Sequence, residues 1–121
     1  MDKNELLKRT RQFAIRVFKL VEVFPKSKAA DIVSYQLLKA SSSVAANYRA
    51  VNKAKSKIDF RNKIKIVLEE SDESNFWLTF IKDIDLIKSS SELNFLIKES
   101  DEFVAIFTTA LKTLNKSQNK S

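Results

Sequence analysis

The stretch Ser56–Ile81, SKIDFRNKIKIVLEESDESNFWLTFI, decides the fold. It opens with Ser56-Lys57-Ile58-Asp59, a hydroxyl with a carboxylate three residues on, which is the capping-box signature of a helix start. Behind it Phe60, Ile64, Val67, Ser71, Ser74, Leu78 and Ile81 recur at spacings of four and three, one stripe of an α-helix. Phe76, Trp77, Phe80, Ile84 and Ile87 widen that stripe until the second half of the helix is apolar over most of its circumference. A helix over 57–88 with this pattern is expected to be the longest in the chain and to be covered on more than one side.

The same periodicity continues in both directions. Upstream, Ser27 caps a helix expected over 28–52, with Val33, Leu37, Ala40, Val44, Tyr48 and Val51 as its stripe and small residues from Ala40 to Ala46 that let a neighbouring helix approach closely. Before it, Leu6, Thr10, Phe13, Val17, Leu20 and Phe24 mark a helix over 4–24 that Pro25 ends, because the residue before proline is pushed out of the helical region. Downstream, Ser89-Ser90-Ser91-Glu92 is a second capping box, opening a helix over 90–115 whose stripe is Leu93, Ile97, Ser100, Val104, Phe107, Leu111 and Leu114. The polar tail 116–121 is expected to fray. With no glycine available, Asn52 and Asn115 are the expected left-handed positions at helix ends. Short connections and no linker predict one domain over 1–121, an all-α, antiparallel up-down four-helix bundle.

Absent residue types exclude most enzyme classes. The chain of 121 residues has no His, no Cys and no Gly. A Ser-His-Asp relay or a Cys–His pair cannot be built from it. A phosphate-cradling glycine loop is equally impossible, and the usual zinc sites lose their ligands. No catalytic residue, metal ligand or cofactor is assigned, and a non-enzyme is expected. Without cysteines, packing alone must stabilise the fold. Charges in Met1–Gln12 leave no unbroken apolar stretch for a secretory signal, and no uncharged run approaches the roughly 18 residues of a membrane span. Met1, the single methionine, is read as the initiator of an unprocessed chain. A cytoplasmic protein without membrane contact is expected.

The net charge of +7 is unevenly placed: residues 1–65 carry 16 Lys and Arg against 5 Asp and Glu, and residues 66–121 carry 6 against 10. Arg49, Lys53, Lys55, Lys57, Arg61, Lys63 and Lys65 put seven positive charges within 17 residues, interrupted by Asp59 alone. A lysine-rich run is often just a solvated face, but this one surrounds a helix N-terminus, whose free N–H groups and dipole favour an anion. These seven residues are the candidate nucleic-acid-binding set. Few aromatics lie nearby, and Phe60 is needed for the core, so contact with the phosphate backbone is expected, weakening steeply with salt.

Glu69, Glu70, Asp72 and Glu73 form the densest carboxylate group. The metal sites of helical bundles add His to such carboxylates, so these four are read as ion-pair partners, Lys65 with Glu69 for example. Asn47 lies near the apolar stripe of the second helix and is expected to fix helix register by bonding a neighbouring helix. Phe76 and Trp77 are read as core or interface anchors pointing to different sides, and that two-sided apolarity predicts self-association.

Three blocks taken together resemble a known family: Gln36–Ala50 (QLLKASSSVAANYRA), Lys55-Ser56 with Asp59-Phe60, and Val67–Ser74 (VLEESDES) followed by Phe76-Trp77-Leu78. They are similar to the four-helix bundle proteins encoded in bacterial 23S rRNA intervening sequences. The resemblance runs from about Phe13 to Ile87. It implies a basic, non-enzymatic bundle assembling into a ring-shaped homopentamer. It also implies association with RNA, since a relative serves diversity-generating retroelements as an accessory protein engaging a reverse transcriptase and nucleic acid. Many relatives carry Asn-Ile-Ala-Glu-Gly where this chain has Asn47-Tyr48-Arg49-Ala50-Val51, which assigns it to the Asn-Tyr-Arg-Ala branch. The leading expectation is therefore an oligomeric RNA-binding protein; the alternative is an interaction module that docks a polymerase such as a reverse transcriptase.

Overall fold

Every helix begins where a side-chain oxygen caps it. Asp2 accepts from the Glu5 N–H at 2.8 Å, Ser27 from Ala30 at 3.1 Å, Ser56 from Asp59 at 3.0 Å and Ser90 from Leu93 at 3.1 Å. Each bond satisfies one of the four N–H groups that a helix start leaves without an internal partner. The computed structural model, which describes residues 2–119, accordingly contains α1 (Lys3–Val21), α2 (Lys28–Val51), α3 (Lys57–Asp83) and α4 (Ser91–Asn119). No strand occurs among the described residues. The cap of α4 is Ser90 rather than the expected Ser89, which moves Glu92 out of the capping-box position and leaves its carboxylate to bond Arg16 of α1.

The helix ends depart further from expectation. α1 stops at Val21, because Pro25 tightens the last turn into bonds spanning three residues, from Val23 N–H to Leu20 O and from Phe24 N–H to Val21 O. Asn52 is not left-handed: its φ is −73°, and its amide donates back to Tyr48 O at 2.9 Å. Asn115 lies inside α4, which continues to Asn119 because no Gly or Pro interrupts it. At 29 residues α4, not the 27-residue α3, is the longest helix. Of the expected frayed tail, Lys120 and Ser121 lie outside the described residues. The left-handed residue among the described ones is Asp85, φ +52°, where α3 ends in a Schellman motif: Leu86 N–H donates to Ile81 O and Asp85 N–H to Lys82 O. An aspartate tolerates this conformation better than most residues, and Leu86 then folds back against the core.

The buried stripes of α1, α2 and α3 follow those the spacing marks, at steps of three and four, with Phe24 and Phe60 only partly buried. That 3.5-residue repeat is the packing period of left-handed helix bundles. In α4 the phase is rotated: Leu93, Leu96, Ser100, Phe103 and Phe107 are buried, while Ile97 and Val104 sit on the shoulder. Phe103 meets Phe13 of α1 edge-to-face at 5.3 Å between ring centres, an arrangement favoured by the ring quadrupoles.

Each helix packs against its neighbours in sequence, and α1 also meets α4 along the least extensive of the four seams. Arginines fasten that seam. Arg9 grips Glu99 through both Nε, at 3.0 Å, and Nη2, and reaches Glu102 at 2.6 Å. One turn pair further along, Arg16 holds Glu92 in the same fork and stacks its guanidinium 3.7 Å from the centre of the Phe95 ring. Across the α3–α4 seam the Asn75 amide donates to Ser100 Oγ at 2.9 Å and to Asp101 Oδ1 at 2.9 Å.

Three substitutions test this account. Asp85→Gly removes the left-handed penalty and raises stability to urea by about 0.5–1 kcal/mol; an unchanged or lower midpoint would refute the strained-cap account. Arg9→Gln, which leaves Glu99 only 11% exposed and without its partner, lowers unfolding free energy by about 1–3 kcal/mol. Arg16→Gln, at a seam position 38% exposed, costs less than about 1 kcal/mol. Arg16 holds the Glu92 carboxyl below its ordinary range by hydrogen bond first and by charge second. That contribution is present above the ordinary carboxylate pKa and is lost as pH falls through the depressed one, so the Arg16→Gln difference shrinks in acid to what the Phe95 stacking contributes.

Candidate nucleic-acid interface

Part of the charge excess read along the first half of the chain gathers at one end of the bundle. Lys3 at the start of α1, Asn52 at the end of α2, Lys55, Lys57 and Phe60 around the start of α3, and Leu114 near the end of α4 surround one cleft of about 480 Å³. Ala54 and Ser56 of the connection line it too, so the capped N-terminus of α3 opens on the same cleft as Lys3, Lys55 and Lys57. Such an opening carries a partial positive charge from the helix dipole. Lys53, Lys55 and Lys57 are all exposed.

Behind this rim lies an apolar cavity of about 400 Å³, floored by Leu6, Tyr48, Ile64 and Phe107 and sharing Lys3 and Phe60 with the cleft. Burial raises the Tyr48 phenol above its ordinary pKa, helped by the charge of Asp2, so it stays neutral. Its ring tilts against Phe107 at 5.5 Å.

The seven candidate basic residues stand in different settings. Lys55 and Lys57 converge with Lys3, a residue that sequence reading passed over because only folding brings the α1 start to this end. Arg49 instead lines a separate groove between α1 and α2. Arg61 is half-buried, its Nε donating to Asn115 Oδ1 at 2.7 Å. Lys63 pairs with Asp59, whose carboxyl is held below its ordinary range by that contact first and by the Lys55 N–H second. Lys65 is exposed, further along α3.

The remaining candidates separate in the same way. Asn47 donates to Ser43 O of its own helix at 2.9 Å; the amide N–H that donates to a neighbouring helix is that of Asn75, on the shoulder of the α3 stripe beside Ser74. Phe76 is 53% exposed and stacks on Phe80 at 5.9 Å, while Trp77 is half-buried behind them. Its buried indole N–H has no hydrogen-bond partner among the described residues. No salt bridge among the described residues joins Lys65 to Glu69. Glu70 is pushed above the ordinary carboxylate range by burial, then by Glu73, with Lys39 opposing. No group of three or more Asp or Glu among the described residues is arranged to hold a metal ion, and no helix among them is long and apolar enough to cross a membrane.

Comparison with known proteins agrees with this architecture. A crystal structure at 1.70 Å of a protein of unknown function from Bacteroides thetaiotaomicron, of the S23 ribosomal protein family, matches with a TM-score of 0.81 and 26% identity, covering 93% of this chain and 99% of its own. No curated protein matches the chain. The family model of the 23S rRNA-intervening sequence protein matches residues 2–109. With nearly the whole bundle inside that match, the chain belongs to the 23S rRNA-intervening sequence protein family.

Proposed function

We propose that this protein is a non-enzymatic, cytoplasmic, antiparallel up-down four-helix bundle that assembles into a ring-like homo-oligomer and binds nucleic acid, structured RNA foremost, through the basic end of the bundle. The observation that carries the reading is that Lys3, Lys55 and Lys57 line one cleft at the capped N-terminus of α3, with the exposed Lys53 two residues before Lys55. Arg61, Lys63 and Lys65 extend this charge along α3, and Arg49 extends it along α2. The geometry suits phosphate: lysine ammonium groups act as point charges, and backbone N–H groups at a helix start complete the anion contact. Recognition by backbone charge is indifferent to base sequence, and copies of the patch around a ring add avidity to a weak single contact.

The up-down order is supported by the pairing across the seams. Arg9 with Glu99 and Arg16 with Glu92 step in opposite directions along α1 and α4, as do Arg61 with Asn115 and Lys82 with Asn94 along α3 and α4. Self-association is supported by apolar side chains left outside, among them Phe18, Phe76 and Phe80. The family's name, which points to an origin within ribosomal RNA genes, supports RNA as the polyanion.

A second reading rests on Ile58, 66% exposed amid the lysines at the start of α3. An apolar side chain there suits a protein contact, such as an acidic surface of a polymerase docked at the same end. A pull-down treated with nuclease separates the two, since a direct protein partner survives the treatment.

The test is fluorescence anisotropy with a structured RNA, and duplex DNA in parallel, across a salt series. The triple variant Lys3→Glu/Lys55→Glu/Lys57→Glu is expected to weaken binding at least tenfold and to flatten the salt slope by about 0.7–0.9 for each phosphate that is no longer neutralised. Lys26→Glu/Lys28→Glu, placed the length of α2 or roughly 35 Å away, leaves binding within about twofold. Equal weakening in both variants, or none in the first, would refute this surface.

A further inference from the structure

The groove between α1 and α2 and the outer face of α3 complement one another. The groove, about 820 Å³, has a floor of aliphatic, aromatic and small side chains, Ala14, Ile15 and Phe18 from α1 with Ala45 and Ala46 from α2. Its rim carries Arg11, Lys19 and Arg49 against the single Glu22. None of these three cations takes part in a salt bridge among the described residues, in contrast to Arg9 and Arg16 in the α1–α4 seam.

α3 presents the converse surface. With Ser71, Ser74, Leu78 and Ile81 turned inward, the 100° step of a helix places Phe76 and Phe80 on the opposite face, in line with Glu69, Asp72 and Glu73. The two rings are stacked, 23° from parallel, and braced from behind by Trp77, edge-on to Phe76 at 4.9 Å. This is a rigid aromatic ridge with acid at its flank, and no salt bridge among the described residues neutralises Glu69, Asp72 or Glu73. α1 and α3 share no backbone seam within the described chain, so groove and ridge lie on different sides of the bundle.

The geometry points to a second copy of this chain as the occupant of the groove: the Phe76/Phe80 ridge of one copy seats on Ala45 and Ala46 of the next, with Glu69, Asp72 and Glu73 facing Arg11, Lys19 and Arg49. The contact rests on the self-association proposed above and gives it a direction. Because the two surfaces differ, the contact is heterologous, and each copy keeps one free groove or one free ridge until a ring closes. Opposite potentials across it fix the register. The small Ala45 and Ala46 of α2 leave room on their outer side for the bulk of two phenylalanines.

The test exploits that direction. A groove variant, Arg11→Glu/Arg49→Glu, and a ridge variant, Asp72→Lys/Glu73→Lys, alter positions on the two outer faces, and circular dichroism checks that the helices are retained. By native mass spectrometry and light scattering at tens of micromolar, wild type is a closed oligomer and each variant alone is a monomer. Mixed together, the two reversed faces attract, as do the two intact ones, so association returns; a chain carrying all four substitutions likewise restores the oligomer. To isolate one contact, a groove blocked by Ala46→Trp is mixed with a ridge truncated by Phe76→Ser/Phe80→Ser. That mixture gives a one-to-one dimer and nothing larger. If wild type is oligomeric and the reversals leave it so, or if the mixtures stay monomeric, this pairing of faces is wrong while self-association stands. A monomeric wild type overturns both.

Discussion

The bundle depends on small polar side chains at its buried seams. Thr10, Ser41, Ser71, Ser74 and Ser100 are all buried, with at least one from every helix. A buried hydroxyl without a partner is destabilising. Here each donates to a carbonyl one turn back in its own helix, such as Ser71 to Val67 O and Ser74 to Glu70 O, both at 2.8 Å. The helices can therefore approach closely without glycine and without demanding polar partners from one another. Ser100 also accepts from Asn75, so the same layer supplies a polar link between α3 and α4.

That interior determines the exterior. Once Ser71, Ser74 and Leu78 face inward, the helical step sends Phe76 and Phe80 out, where they cannot contribute to the monomer's core. Charge follows a similar division. The arginines of α1 that face α4 are consumed in forked bonds with Glu92 and Glu99, whereas the lysines around the α2–α3 connection have few acids within reach. Asp59 pairs with Lys63, further along α3, and accepts the Lys55 N–H. The end of the bundle consequently keeps its positive charge, and the α3 N-terminus adds to it.

Much of this was legible in the residues. Alternating steps of three and four fix the inward faces of α1, α2 and α3, and the Ser27 and Ser56 caps fall where their sequence pattern puts them. α4 was harder, because Leu96-Ile97 and Phe103-Val104 supply an apolar residue at each of two adjacent phases; the packing of Phe103 against Phe13 selects one. The early end of α3 was hidden because Asp85 does what glycine or asparagine usually does. At the candidate interface, Lys55 and Lys57 were visible as a cluster, but Lys3 joins them only through the closure of α1 on α4. Arg61 and Lys63 are indistinguishable from their neighbours in the sequence; in the fold, Asn115 and Asp59 hold them. Charge counted along a helix cannot distinguish cations already engaged from those left to meet a ligand.

The claim that the basic end contacts nucleic acid is tested most directly by hydrogen exchange of the intact protein with and without a structured RNA. The account predicts slowed exchange in Asn52–Arg61 and in the first turn of α1, with the Glu22–Ser27 and Ile84–Ser90 connections at the other helix ends unchanged. Protection confined to those other connections, or none at saturating RNA, would contradict it.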